Sequence, residues 1–370
     1  MKVKRQGRVA AISLAAALAL AACGSDENTD NSSAGSTSGS SSSIDCATGT
    51  LNASGSSAQA NAMSEWIKTY QSSCSGATIN YGSVGSGQGV TDFINGQTAF
   101  AGSDSALKAD KGEPDKANAR CKTGNAVDLP MVAGPIAVVY NLSGVTDLTL
   151  TPSIISKIFS GTITTWNDPA IAEANSGATL PSDKITTVHR SDSSGTTDNF
   201  TKYLASAGAS DWTYANDKVW KAPGGTGAKG SDGVAAAVKS TPNTIGYVEW
   251  SYATQNSLGV AKVDNGGGAV ELSADAVSKA VEAATVSGTG DDLSLKLDYS
   301  SKTAGVYPIL LVTYEITCLK GLDAEQAKLV KSFLTYVSSS DGQGQLTELG
   351  YAPLPSSIQS KVQAVVAKIA

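Results

Sequence analysis

The chain has 370 residues, enough for two hydrophobic cores of ordinary size. Hydrophobic residues make up 41% of the chain and charged residues 16%, a balance typical of globular proteins and unlike that of disordered ones. The formal net charge of −6 argues against a nucleic-acid partner, because nucleic acids are held mainly by clustered Lys and Arg. A small anion stays compatible with this charge, since backbone N–H dipoles can hold it locally.

Residues 1–22 have the pattern of a signal peptide. A basic start, Met1 to Arg8, precedes an apolar run, Val9 to Ala22, that is too short to anchor a chain across a bilayer. The run ends in Leu-Ala-Ala-Cys-Gly, the pattern of a bacterial lipoprotein cleavage site, which predicts a lipid on Cys23. An ordinary signal peptide with an incidental cysteine is the alternative.

Residues 23–45 are predicted to form the lipidated cysteine and a flexible tether. It consists almost entirely of Ser, Gly, Asn, Asp and Thr, and such a composition cannot bury enough surface to fold. As a random coil it would separate the globular body from the membrane by roughly 25 Å. We therefore expect the protein on the extracytoplasmic face of the cell membrane, anchored by lipid.

Four further cysteines, Cys46, Cys74, Cys121 and Cys318, lie in the globular part. None forms a CxxC pair, and the chain has a single histidine, His189, so a metal site such as a zinc site is not expected. An even number of cysteines in an exported protein predicts two disulfides, for which three pairings are possible.

Short apolar runs alternate with helical patterns along the chain, which predicts an α/β fold with parallel strands. The predicted strands are Thr50–Ala53, Ala77–Tyr81, Ala126–Asn141, Ile185–His189, Ile245–Trp250 and Tyr307–Thr317. The predicted helices are those carrying Trp66, Phe93 and Phe200, together with Pro152–Phe159, Gly233–Lys239 and Ala324–Val337.

Two of these strands, Ala126–Asn141 and Tyr307–Thr317, are long and apolar, and they are widely separated in sequence. Such strands could carry the chain twice from one domain to the other. We therefore expect residues 46–140 and 305–370 to form domain I, and residues 141–304 to form domain II.

The predicted strands also indicate a disulfide pairing. Cys46 and Cys74 each precede one of two strands expected to be neighbours in the sheet. Cys121 precedes the first crossing strand, and Cys318 ends the second, which should run antiparallel beside it. We therefore predict disulfides between Cys46 and Cys74 and between Cys121 and Cys318.

Four polar loops at strand-to-helix junctions are candidate binding elements. They offer hydroxyls and free backbone N–H groups where a helix begins, which is a favourable environment for an anion. In open α/β sheets such junctions gather at the carboxyl ends of strands. Ordinary helix capping by Ser, Thr and Asp is the alternative for any single loop. The loops are Ser54–Ala58, Gly82–Gly89, Ala101–Ser105 and His189–Thr196.

Several motifs resemble the periplasmic phosphate-binding protein of the Pst ABC transporter. The similarity runs from about Thr50 to the C-terminus, in family order, and the Arg-Ser-Asp-Ser-Ser-Gly-Thr loop is the most specific part of it. The other motifs are Gly102-Ser103-Asp104, Gly85-Ser86-Gly87, Thr164–Pro169, Ile245–Glu249 and Gly350–Pro355.

The resemblance implies two α/β domains that close like a clam shell around a two-strand hinge. It implies high-affinity binding of inorganic phosphate and delivery to the membrane permease and ATPase of an ABC importer. It implies no cofactor, and we expect a monomer.

The resemblance also implies the binding residues. Arg190 would form a charged fork to the phosphate, held in place by Asp192, and Asp104 would be the only acceptor. The donors would be Ser57, the backbone N–H of Ala58, Ser86, Ser194, Gly195 and Thr196. The family often has Thr and a bulky aromatic where this chain has Ser57 and Ala58, so the cleft wall there is expected to be less well packed.

Three alternative functions fit the sequence less well. A Ser105-x-x-Lys108 and Lys122-Thr123-Gly124 pair fits motifs of penicillin-recognising enzymes, but the two lie too close in sequence for that site. A phosphatase related to the same family would need a metal cluster or a nucleophile–base pair, and neither is evident in this sequence. A sulfate receptor needs only donors, so a carboxylate at Asp104 argues against it. The chain is therefore predicted to be a binding protein and not an enzyme.

Overall fold

The computed structural model describes residues 44–208 and 210–370. The predicted signal peptide, the lipid site at Cys23 and most of the predicted tether lie outside the described residues. Within the described part, no helix has both the length and the apolar character needed to cross a membrane.

The described chain alternates strands and helices throughout. The strands are β1 (Gly49–Gly55), β2 (Ala77–Ser83), β3 (Phe100–Ser103), β4 (Ala126–Asn141), β5 (Thr149–Leu150), β6 (Thr186–Arg190), β7 (Thr226–Ala228), β8 (Thr244–Glu249), β9 (Gly259–Val260), β10 (Lys262–Asp264), β11 (Ala269–Val270), β12 (Thr285–Val286), β13 (Leu295–Lys296) and β14 (Leu310–Cys318). The helices are α1 (Ala60–Ser73), α2 (Ser86–Ile94), α3 (Glu113–Cys121), α4 (Pro152–Phe159), α5 (Pro169–Ala174), α6 (Gly195–Ala207), α7 (Gly230–Ser240), α8 (Trp250–Asn256), α9 (Ala274–Glu282), α10 (Ala324–Val337), α11 (Ser340–Gly344) and α12 (Ser356–Val366).

The main sheet has the order β2-β1-β3-β14-β4-β8-β6-β7, and β9 also pairs with β4. Strand β4 belongs to both halves of this sheet. Its first part, Ala126–Pro135, pairs with β14, whereas Ile136–Asn141 pairs with β8. A single long strand thus continues from one α/β half into the other, which gives the two-domain clam-shell architecture that was predicted.

The predicted parallel arrangement holds only within each half of the sheet. Strands β1, β2 and β3 are parallel, as are β6, β7 and β8. Strand β14 runs antiparallel to both β3 and β4, and β4 runs antiparallel to β8. The sheet is therefore mixed, because β4 and the segment leading into β14 cross between the halves in opposite directions.

Each predicted strand and helix is present; β4, α4 and α10 have the predicted bounds, and the other elements have shifted ends. The last strand begins at Leu310 and not at Tyr307, consistent with Pro308, which has no N–H to give to a sheet. Strand β8 ends at Glu249, and Trp250 begins helix α8. Helices α3, α5, α8, α9, α11 and α12 were not predicted.

Two hydrophobic clusters form the core of the described chain. One contains Trp66, Tyr70 and Phe333 from α1 and α10, all fully buried. The other contains Trp166 and Phe200 and continues under the second half of β4. Each fully buried side chain of this kind stabilises the fold by roughly 1.5–3 kcal/mol.

Both predicted disulfides are present. Cys46 pairs with Cys74 at a Cα–Cα distance of 5.3 Å, and Cys121 pairs with Cys318 at 5.4 Å. The second closes a sequence separation of 197 residues and ties the start of β4 to the end of β14. The pairing follows from the topology, because β1 and β2 are parallel neighbours and β4 and β14 antiparallel ones.

Candidate functional site

The four polar loops converge at one place. The backbone N–H groups of Val84 and Gly85 donate to the carbonyl of Gly55, which joins the first two loops. Ser56 N–H donates to the carbonyl of Gly102 in the third loop, and Gly87 N–H donates to the carbonyl of Ser193 in the fourth. The first three loops follow β1, β2 and β3, and parallel strands bring their carboxyl ends to the same edge of a sheet. The fourth loop follows β6 in the other half of the sheet and meets them through the contact of Gly87 with Ser193.

Asp104 lies at the centre of this convergence and is 3% exposed. Its Oδ2 accepts from Ser86 Oγ at 3.0 Å, and its Oδ1 accepts from Thr313 Oγ1 at 2.7 Å. Helix α6 begins directly against it: a Cβ added to Gly195 would lie 2.6 Å from Asp104 Oδ2. Only glycine permits so close an approach.

Burial raises the pKa of Asp104 to about 6, and the nearby carboxylate of Glu249 adds to the increase. Hydrogen bonds from the hydroxyls of Ser56, Thr313 and Ser86 act in the opposite direction. A buried carboxylate with an elevated pKa has a strong tendency to accept a proton or a hydrogen bond. Asp104 is therefore suited to a ligand that brings an O–H.

Arg190 and Asp192 form a forked ion pair beside Asp104. Arg190 Nε donates to Asp192 Oδ1 at 2.7 Å, and Nη2 donates to Oδ2 at 2.5 Å. Burial alone would lower the pKa of Arg190 and raise that of Asp192, but their mutual attraction outweighs it in both cases. The pKa of Arg190 is raised and that of Asp192 is lowered, so both groups stay charged.

The remaining guanidinium nitrogen of Arg190 contacts two hydroxyls. Nη1 donates to Thr196 Oγ1 at 3.4 Å and to Ser231 Oγ at 3.2 Å. Thr196 in turn donates to Glu249 Oε1 at 2.5 Å. Ser194 caps α6, its Oγ accepting the N–H of Thr197 at 3.2 Å. The predicted residues of the fourth loop thus share one network at the start of α6.

Ser57 and Ala58 lie at the edge of the same network. Ser57 Oγ is 2.9 Å from Ser231 Oγ. The N–H of Ala58 donates to Ser56 Oγ at 2.9 Å, so this donor already has a partner within its own loop. Tyr252 holds the loop in place by donating its hydroxyl to the carbonyl of Ser57 at 2.9 Å.

Sequence reasoning missed two residues of this network. Ser231 opens α7 within Gly-Ser-Asp-Gly, a run of small polar residues like those of the four loops, and that similarity could have identified it. Glu249 is fully buried and has Oε2 without a hydrogen-bond partner among the described residues. The sequence contains only a weak indication of Glu249, because it is a single acidic residue at the end of an apolar strand.

The charges of the site fit a protonated anion. The site contains three carboxylates, Asp104, Asp192 and Glu249, and one guanidinium, that of Arg190; Asp192 and Glu249 act directly on the guanidinium. Attraction by net charge therefore cannot hold the anion, whereas hydroxyls, backbone amides and helix N-termini can. Within the described chain, no group of three His, Cys, Asp or Glu side chains could hold a metal ion.

A row of polar contacts borders the site along one side. Asp198, in the first turn of α6, accepts from Ser105 Oγ at 2.7 Å and from Lys108 Nζ at 2.6 Å. Its pKa falls to about 2, because the nearby lysine charges outweigh the effect of burial. These contacts link the third loop to α6 immediately next to Asp104.

A cavity also lies away from these loops. It has a volume of about 970 Å³ between the N-terminal segment 44–49 and helices α10 and α12, and none of its lining residues comes from the converging loops.

Comparison with known proteins gives consistent matches. Residues 40–341 match the model of the PBP superfamily domain. The chain is 43% identical to Phosphate-binding protein PstS 3 of Mycobacterium tuberculosis over the full length of both chains. It is 35% identical to Phosphate-binding protein PstS of Xylella fastidiosa, covering 82% of this chain and 80% of that protein.

Among solved structures, a high affinity periplasmic phosphate-binding protein (PfluDING) bound with phosphate superposes with a TM-score of 0.69 at 25% identity. The match covers 85% of this chain and 93% of that one. Phosphate-Binding Protein from Stenotrophomonas maltophilia gives a TM-score of 0.65 at 21% identity, which supports the fold alone.

Proposed function

The chain belongs to the PBP superfamily and, within it, to the family of the PstS phosphate-binding proteins, and on that premise we propose that it binds inorganic phosphate outside the cytoplasm and delivers it to an ABC importer. The observation that carries the proposal is the buried carboxylate of Asp104 at the N-terminus of α6, beside the Arg190–Asp192 pair. The relatives are named as binding proteins, so the phosphatase alternative is not favoured.

In this proposal the eight predicted ligands divide into one acceptor and seven donors. Arg190 gives charge-assisted hydrogen bonds to the phosphate oxygens, and Asp192 fixes its orientation. Asp104 accepts the phosphate O–H. The other donors are the hydroxyls of Ser57, Ser86, Ser194 and Thr196 and the backbone N–H groups of Ala58 and Gly195. Three of these donors would have to exchange their present acceptors for the anion: Ala58 N–H leaves Ser56 Oγ, the Ser86 hydroxyl leaves Asp104, and the Thr196 hydroxyl leaves Glu249.

The same carboxylate explains the preference over sulfate. Inorganic phosphate carries at least one proton near neutral pH and can donate it to Asp104. Sulfate carries none, so it would face an uncompensated carboxylate in a buried site. A site built around such a hydrogen bond can reject an analogue that lacks it by roughly 10⁴–10⁵.

We further propose the domain boundaries predicted from the sequence, residues 46–140 with 305–370 for one domain and 141–304 for the other. The two pairings of β4 support this division. It assigns Ser57, Ser86 and Asp104 to one domain and Arg190 with Thr196 to the other. Phosphate would then bridge the domains and favour closure.

Membrane attachment through Cys23 and a monomeric state complete the proposal. The lipoprotein cleavage pattern and the Ser-rich segment after it support attachment by lipid. Mass spectrometry of the membrane fraction should find a diacylglyceryl group on an N-terminal Cys23, and a mature chain that begins elsewhere would contradict it. Light scattering of the purified protein should give the mass of one chain.

Calorimetric titration of protein freed of bound anion tests the binding function. Phosphate should bind tightly, and sulfate at the same pH and salt should bind orders of magnitude more weakly. Tight sulfate binding, or no binding of phosphate, would refute the proposal. Release of phosphate from a chromogenic ester would instead support the phosphatase alternative.

A further inference from the structure

Ser231 connects the two sides of the proposed site. It is the second residue of α7, and its side chain is 1% exposed. Its Oγ lies 3.2 Å from Arg190 Nη1 and 2.9 Å from Ser57 Oγ, and its backbone N–H donates to Ser57 Oγ at 3.1 Å. Among the described residues, no other residue forms hydrogen bonds with both Arg190 and Ser57.

The chemistry of the three groups restricts the direction of these hydrogen bonds. A guanidinium only donates, so Ser231 Oγ must accept from Arg190. A backbone N–H also only donates, so Ser57 Oγ must accept from Ser231. Each hydroxyl has one hydrogen, and the contact between the two hydroxyls can use the hydrogen of either residue.

The two directions have different consequences for an anion. If Ser231 donates to Ser57, the hydrogen of Ser57 stays free to point at the anion. If Ser57 donates to Ser231, the hydrogen of Ser57 is used within the pair and only that of Ser231 stays free. An anion that is bound through the Ser57 hydroxyl selects the first direction, because only then can Ser57 donate to it, and Arg190 assists because a hydroxyl that accepts from a cation donates more strongly.

We propose that Ser231 is a positioning residue of the phosphate site, which orients the Ser57 hydroxyl toward the anion and relays the polarisation of Arg190 to it. The inference rests on the proposed function and deepens it. Ser57 is then a strong donor only while Ser231 keeps its hydroxyl. The effect of Ser231 on phosphate affinity should therefore depend on Ser57.

A double-mutant cycle tests this dependence by calorimetric titration of the purified full chain with phosphate. Ser57→Ala and Ser231→Ala should each weaken phosphate binding roughly tenfold. In the double variant, the loss of Ser231 should add less than about a twofold further weakening, since the hydroxyl it orients is already gone. Losses that multiply to about a hundredfold would overturn the proposal.

A pair of variants of equal size separates positioning from packing. Ser231→Thr keeps the hydroxyl and Ser231→Val does not, so any cost of the extra methyl group is shared. Thr should bind phosphate roughly tenfold more tightly than Val, and equal affinities would overturn the proposal. Ser240→Ala, at the exposed end of the same helix, is the matched control and should leave phosphate affinity unchanged.

The outcomes distinguish this inference from the function on which it rests. If the unsubstituted protein does not bind phosphate, the proposed function fails and the inference with it. If it binds phosphate and the Thr and Val variants are equal, only the role of Ser231 is refuted.

Discussion

Replacing Arg190 with Ala should weaken phosphate binding far more than the loss of one exposed charge would. The side chain is 2% exposed and donates to Asp192 through two nitrogens and to two hydroxyls through the third. Its removal leaves Asp192 as a largely buried carboxylate without its counter-charge, next to an incoming anion. Breaking a buried, hydrogen-bonded charge pair costs roughly 2–5 kcal/mol, which corresponds to about a 30- to 5000-fold loss of affinity.

Titration calorimetry on protein freed of bound phosphate measures this loss directly. Arg190→Lys keeps the charge but not the fork, so it should fall between the unsubstituted protein and Arg190→Ala. Arg120→Ala is the matched control, because Arg120 donates to the carbonyls of Phe93 and Thr98 and has no contact with Asp104 or Asp192. A loss below tenfold for Arg190→Ala, in a variant that still unfolds cooperatively, would refute Arg190 as a ligand.

Three further predictions concern carboxylates. Asp104→Asn should lower the phosphate-to-sulfate affinity ratio, because an amide can turn its NH₂ toward sulfate; an unchanged ratio in parallel titrations would remove Asp104 as the selector. Burial raises the pKa of Glu315 to about 8, so the contribution of this carboxyl group to folding stability should be present below about pH 4.5 and be lost as pH rises through 8. Glu315→Gln should flatten this fall of folding stability with pH in denaturant titrations, and an equally steep fall in the variant would contradict the raised pKa of Glu315. Asp198→Asn should speed phosphate release roughly tenfold in stopped-flow measurements and change the association rate by less than about twofold. The reason is that the hydrogen bonds of Asp198 with Ser105 and Lys108 would form only as the domains close. An unchanged release rate would argue against a role of Asp198 in holding the domains closed.

The local signals in the sequence were sufficient for the elements and for much of the site. Alternation of apolar runs and helical patterns identified six of the nine strands of the main sheet, β1, β2, β4, β6, β8 and β14, since periodicity reflects which side of an element faces a core. The two long apolar segments indicated the crossings, and their antiparallel pairing gave the Cys121–Cys318 disulfide. The Arg190–Thr196 loop was recognised because its residues are contiguous in sequence.

Other features depended on contacts between distant segments, and only the tertiary structure decided them. Ser231 meets Arg190 and Ser57 because α7 begins beside β6, a proximity that follows from the parallel pairing of β6 and β7. Glu249 joins the network through Thr196, 53 residues away in sequence. The raised pKa values of Asp104 and Glu315 likewise come from burial beneath the meeting loops. A residue's own sequence neighbours cannot specify such surroundings, because burial and hydrogen-bond partners are properties of the assembled fold.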